Sequence, residues 1–204
     1  MVVSRLPSFI KWIYPEIVTV LSNSSRSLCL SFDDGPDPYS TPLIIKILRA
    51  RNVKAVFFCT GRNAVEFPGI VKDLISEGHL IGNHTFSHAD GFKLSTKKYV
   101  KEVSEAAAVT SAVLFRPPYG RLTPWQYRIL SDKYRIVFWD LMAFDFRGKI
   151  TGLRITEGLL NKIKPGSIIA LHDKPVSVKK GFIEEFIDLC EAGSFSFVLP
   201  DFQK

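Results

Sequence analysis

From Ser27 onward the chain repeats one unit, a short apolar run, a polar loop and an amphipathic segment, and this repetition constrains the fold more than any other feature. The apolar runs fall at 27–32, 54–59, 79–82, 113–116, 135–139, 167–171 and 196–199. Strands alternating with helices pair in parallel through right-handed crossovers. About seven such strands make either an open doubly wound sheet or a barrel. No glycine-rich loop follows any of them, which argues against a nucleotide-binding sheet. At 204 residues the chain is short for a complete (β/α) barrel. The expected fold is therefore α/β, a distorted or incomplete (β/α) barrel of about seven parallel strands. Thr41-Pro42 and Thr123-Pro124 each read as a capping hydroxyl before a proline in the first helical position. Gly78 and Gly193 stand where helix ends need a left-handed residue.

With 46% hydrophobic residues the chain can bury one large core, and nothing divides it into two. Residues 27–204 are expected to form that domain. Residues 1–26 are expected to be an extension whose Phe9, Ile10, Trp12, Ile13 and Tyr14 pack across one end. The net charge of +7 suits an anionic partner, but no run of five basic residues occurs. It reads as a generally basic surface rather than a nucleic-acid site. Cys29, Cys59 and Cys190 are odd in number, form no CxxC pair and lie in apolar runs. Buried free thiols are expected, not a disulfide framework or a zinc knuckle. Lys11, Pro15 and Glu16 interrupt the N-terminal apolar stretch, so neither a signal peptide nor a membrane span is read there. An intracellular monomer is the default expectation.

The reactive side chains collect where strands end. The run from Leu28 to Phe32 leads into Asp33 and Asp34, and Gly35-Pro36 stops the strand at once. Adjacent residues on an extended backbone point opposite ways, so these carboxylates can share a site only if the chain turns beside them. His84 and His88 follow the third strand, Arg116 the fourth, Asp140 and Asp145 the fifth, and His172-Asp173 the sixth. In a barrel these ends form one face, where active sites are built. The spacing of His84 and His88 suits one helical turn, from which both imidazoles could reach one ion with Asp34 as the third ligand. Two histidines and one carboxylate leave positions open for water and substrate. Non-haem iron oxygenases use the same ligand set. Against that class stand the strand-helix scaffold and Asp33, a second carboxylate where hydrolysis needs a base. His172 is placed to be the acid.

Five segments in order, Ser31-Phe-Asp-Asp-Gly-Pro36, His84-Thr-Phe-Ser-His88, Arg116-Pro-Pro-Tyr119, Trp139-Asp140 with Asp145-Phe146, and Leu171-His-Asp173, resemble the polysaccharide deacetylase family, the NodB-homology carbohydrate esterases (family 4). The resemblance runs along residues 27–199. It implies hydrolysis of the N-acetyl group of an N-acetylated amino-sugar glycan such as peptidoglycan or chitin. It implies Asp33 as base, and Asp34, His84 and His88 as ligands of a divalent ion, most often zinc, with cobalt or nickel as replacements. Arg116 would pair with Asp33, the Tyr119 backbone N–H would help hold the oxyanion, and Asp145 would orient His172 as it protonates the leaving amine. Pro118, Tyr119, Phe146, Ala170 and Leu171 would line the substrate site. Phe146 stands where relatives commonly have Trp, and Ala170 where they have Leu, which implies a roomier acyl pocket. A non-carbohydrate amide hydrolase and a catalytically inactive carbohydrate-binding module are the alternatives.

Overall fold

Strand and helix alternate as the pattern requires, and the strands curl into a distorted (β/α) barrel. The computed structural model describes residues 1–22 and 25–200. Asn23 and Ser24 of the expected extension, and residues 201–204 of the expected domain, lie outside the described residues. The strands are β1 (Val3–Arg5), β2 (Ser27–Asp33), β3 (Val56–Cys59), β4 (Leu80–Asn83), β5 (Leu114–Phe115), β6 (Arg135–Ile136), β7 (Leu141–Ala143), β8 (Ile168–His172) and β9 (Ser196–Phe197). They form one sheet in the order β1-β7-β8-β2-β3-β4-β5-β6, with β9 joined to the start of β2. All pairings are parallel except β1 with β7. Val18 bridges to Val137 and Val20 to Ser167, so the N-terminal segment lies between the run after β6 and the start of β8.

The period of two along a strand sorts the core. Leu28, Leu30 and Phe32 on β2, and Ile169 and Leu171 on β8, pack with Ile44, Leu48, Phe182 and Phe186 of the covering helices. The alternate residues point into the barrel. Cys29 and Ile168 meet Val56, Phe58 and Val137 low in the interior, and Ala170 meets Phe138 and Trp139 above them. The same parity carries Ser31 and Asp33, and then His172, into the barrel mouth. Each large apolar side chain so buried contributes roughly 1.5–3 kcal/mol, which fixes the register and with it the direction of Asp33 and His172. The three cysteines are free and buried, as their apolar settings imply.

Several local expectations are corrected. Nine strands are present among the described residues rather than seven, because β1 and β7 are three-residue strands that no apolar run announces. β6 ends at Ile136 and a new strand begins at Leu141. Asp140 thus sits at the N-terminal end of β7, away from the mouth, where it accepts from Ser167 Oγ at 2.6 Å and pairs with Arg5. The helix Ser40–Ala50 starts before Thr41, and its first N–H groups are met by Asp37. The Thr41 hydroxyl instead holds Asp173, at 2.5 Å. Thr123 does cap Pro124–Ser131, in a reciprocal box with Gln126. Gly78 is left-handed (φ 78°), but after the last helix Ser194 (φ 63°) takes that conformation rather than Gly193. Tyr14 is buried, whereas Phe9, Trp12 and Ile13 are exposed.

Candidate active site

Asp33 is the last residue of β2, and register places it directly beside His172 at the end of β8. Acid and base candidates therefore come from neighbouring strands. The chain turns at Asp34, whose φ of 79° leaves the extended region, and the cis Gly35-Pro36 bond follows. Asn63 Nδ2 donates to the Asp34 carbonyl at 2.9 Å and holds the turn. Both carboxylates then reach one cavity, which straight β-backbone would not allow.

His84 and His88 reach it by a route other than the expected helical turn. Residues 84–88 are irregular, and Thr85 (φ 62°) and His88 (φ 59°) are both left-handed. Asn83 Oδ1 accepts from Thr85 N at 2.9 Å and Thr85 Oγ1 from Ala89 N at 2.8 Å, which stabilises the loop. The imidazole centroids lie 5.1 Å apart.

Arg116 follows β5 and is fully buried. Its guanidinium donates to Asp33 Oδ1 at 2.7 Å, to Ser31 Oγ at 2.8 Å, and to the carbonyls of Val137 and Phe138 at 3.2 and 2.8 Å. It lies 4.0 Å over the Phe58 ring, and Gly82 on β4 leaves the space that ring occupies. A buried cation so completely bonded is a fixed counter-charge for Asp33.

Asp145 clamps His172 twice, with Oδ1 2.7 Å from Nδ1 and Oδ2 accepting from the His172 backbone N–H at 3.0 Å. A carboxylate only accepts, so the Nδ1 proton points at Asp145 and Nε2 faces the cavity. Burial pushes the His172 pKa down, but the adjacent carboxylates, Asp145 foremost, more than offset this and hold it above the ordinary value. Phe146 places a ring edge against His172, with centroids 4.5 Å apart.

Asp34, His84 and His88 offer one ligand atom each, all within 4.8 Å of one another. Asp34 Oδ1 lies 2.9 Å from His88 Nε2 and 3.5 Å from His84 Nε2, yet neither contact has hydrogen-bond geometry and this buried oxygen has no hydrogen-bond partner. His84 Nδ1 is 2.8 Å from the Arg116 carbonyl, an acceptor, so Nδ1 carries the proton and Nε2 presents a lone pair. Lone pairs converging around an orphan carboxylate oxygen are what a divalent cation satisfies. The residues present thus fit a metal.

The cavity at the mouth has a volume of about 430 Å³. Asp33, Asp34, His84, His88 and His172 line it, with Tyr119, Trp139, Met142, Phe144 and Phe146 as apolar walls. Tyr119 (φ 60°) stands edge-on to His88, 4.7 Å between centroids. Pro118, Ala170 and Leu171, expected in the substrate site, are not among the residues that line this cavity. Ala170 is packed beneath it with Trp139, Leu171 faces the helices, and Pro118 is buried in its turn. Asp173 leaves the mouth for Ser40 Oγ and Thr41 Oγ1, and burial raises its carboxyl to about 7. The cavity also has cationic members that motif reading missed, Arg121, Arg147 and Lys174. Lys174 Nζ is 2.7 Å from Asp34 Oδ2. Its place directly after the His172-Asp173 pair was the available signal.

A family model for polysaccharide deacetylases matches residues 21–132. A peptidoglycan-N-acetylglucosamine deacetylase of Bacillus cereus is 35% identical over 168 residues, 79% of this chain and 61% of that protein. A chitooligosaccharide deacetylase of Azorhizobium caulinodans is 34% identical over 164 residues, 75% of this chain and 76% of its own length. The chain thus spans 61% of the length of the first of these relatives. Among solved structures, a peptidoglycan N-acetylglucosamine deacetylase in complex with 4-naphthalen-1-yl-N-oxidanyl-benzamide superposes with a TM-score of 0.86 at 31% identity, covering 95% of this chain and 94% of that one. A family 4 carbohydrate esterase pseudoenzyme of Bacillus anthracis shares the fold, with a TM-score of 0.77 at 21% identity over 86% of this chain and 63% of that one.

Proposed function

The chain belongs to the polysaccharide deacetylase family, and from that premise we propose that it hydrolyses the N-acetyl amide of an N-acetylated amino-sugar glycan, releasing acetate, with a divalent ion held by Asp34, His84 and His88. The observation that carries this reading is the pairing of two proton-transfer groups across one cavity. Asp33 is bonded to buried Arg116, His172 is bonded to buried Asp145, and the Asp34, His84 and His88 ligand set lies in the same cavity. An inactive binding module would need neither pair. Residues 27–204 carry the activity in this reading, with 1–26 as an extension packed on them.

An amide is a poor electrophile, so its hydrolysis needs an activated water, a stabilised oxyanion and a protonated leaving group. When bound, the divalent ion would polarise the carbonyl and acidify water. Zinc, cobalt and nickel all accept this ligand set. Asp33 takes the proton of the attacking water while Arg116 holds it oriented towards the cavity. The backbone N–H of Tyr119 donates to the oxyanion. As the C–N bond breaks, His172 gives its Nε2 proton to the amine, and Asp145 stabilises the imidazolium until then. The aromatic walls, Phe144, Phe146 and Trp139, exclude bulk water around these transfers. The acyl pocket in this scheme is bounded by Phe146 rather than by Ala170.

The test is acetate release by the purified protein from chitooligosaccharides, peptidoglycan fragments and a non-carbohydrate N-acetyl amide. It is run after chelation and after returning zinc, cobalt or nickel. Metal-dependent release from the glycans is the expected result. Release from the simple amide alone would favour the non-carbohydrate hydrolase. No release from any substrate by protein with a full metal complement would favour the inactive module.

A further inference from the structure

Resting on the deacetylase reading, we propose that the substrate is an anionic glycan, with carboxylates on the sugars flanking the reacting one, read by a cationic lining that extends past the catalytic centre on both sides. A second cavity of about 230 Å³, lined by Thr60, Arg62, Asn63, Phe86 and Ser87, shares Asp34, His88 and Lys174 with the first. The two cavities meet at these three residues, so the lined space continues past the catalytic centre. Its charge is one-sided. The lining carboxylates are Asp33 and Asp34, both at the centre, and Asp33 is paired with Arg116. Every charged lining residue away from the centre is a cation: Arg62 on one side, Arg121 and Arg147 on the other, and Lys174 at the junction.

These cations are not equally free. Arg121 is neutralised by Asp90 at 2.6 Å, and Lys174 pairs with Asp34. Arg62 and Arg147 have no carboxylate partner among the described residues. Arg147 instead stacks 4.3 Å over the Phe144 ring. A stacked guanidinium keeps its in-plane N–H groups available for a planar carboxylate. Glu102, near the second cavity but not lining it, is engaged by Ser87 N and Oγ. A neutral glycan gains nothing from such a lining, whereas a chain bearing lactyl or uronate carboxylates is both steered and oriented by it.

The decisive comparison uses one peptidoglycan-type N-acetylated tetrasaccharide with free carboxylates and the same molecule with every carboxylate converted to its methylamide. The affinity of each is measured by calorimetry, and kcat/KM for acetate release is measured in parallel. The free acid is expected to win by roughly fivefold to tenfold at low salt, and the advantage should shrink in 0.5 M salt as exposed charges are screened, the Debye length at about 1 M being only about 3 Å. Arg62→Gln with Arg147→Gln should bring the acid-to-amide ratio towards one, and Lys at both positions should restore part of it. Equal affinity and kcat/KM for the two forms would overturn the inference, as would a preference that survives the double variant. If neither form released acetate, the deacetylase reading would fail instead, and the two affinities would still decide the inference.

Discussion

At the scale of single residues, chemistry here depends on which atom each side chain turns to the cavity. His84 and His88 are equivalent as proposed ligands but not as structural parts. His84 is buried and bonded to the Arg116 carbonyl, while His88 is partly exposed against Tyr119. Both alanine variants should lose metal, read as zinc per protein. Only His84→Ala should also lose about 1–3 kcal/mol of stability, because it leaves a buried carbonyl unpaired. Metal retention in both would exclude the proposed site. His172 makes a second prediction. Its pKa is held above the ordinary value of about 6.5 by Asp145. The acid form therefore persists to higher pH, and kcat/KM should fall as pH rises through that raised value. Asp145→Asn removes the stabilising charge, so the alkaline limb should move to lower pH. An unmoved limb in the pH-rate profile would take Asp145 out of the mechanism.

At the scale of elements, strand parity decides which neighbours of the catalytic residues serve chemistry and which serve packing. Ala170 shares a face with His172, but it lies two residues deeper, buried in one cluster with Phe138 and Trp139. Ala170→Leu should therefore overpack the interior and cost about 1–3 kcal/mol in urea unfolding. The ratio of kcat/KM for N-acetyl and N-propionyl substrates should stay unchanged. A changed ratio at constant stability would return Ala170 to the acyl pocket. The strand-end loops contribute differently. Asp34, Thr85, His88 and Tyr119 all have positive φ, and each sits just past a strand at the mouth. Non-glycine residues in that region cost about 1–3 kcal/mol each and persist only where surrounding bonds over-determine them. Asn63, Asn83 and Thr85 supply such bonds for two of these loops.

At the scale of the whole molecule, the ligands of the proposed ion come from the ends of β2 and β4, so its binding should clamp distant parts of the chain together. A ligand that binds only the folded state at a hundredfold excess over Kd adds about 2.7 kcal/mol, roughly 5–10 °C in Tm for a chain of this size. Calorimetric scans with and without zinc should show that rise, and His88→Ala should abolish it. The alternation of apolar runs and amphipathic segments determined a mostly parallel α/β fold, because each apolar run or face must be buried to gain its transfer energy; chain length and the lack of a glycine-rich loop then favoured the barrel over an open sheet. Motif order likewise named Asp33, Asp34, His84, His88 and His172, which line one cavity, but not the cations beside them. Where each points was decided elsewhere. The convergence of Asp33 and Asp34 depends on one left-handed residue, that of His84 and His88 on two more, and no side-chain pattern encodes a positive φ at Asp, Thr or His. β1 and β7 are too short to show a period, so Asp140 and Asp145 looked alike until one proved to begin a strand and the other to follow it. The cationic lining joins Arg62, Arg147 and Lys174 across 112 positions of sequence. Only the folded chain brings them to one cleft, since long-range electrostatics acts through space and leaves no local mark on the sequence.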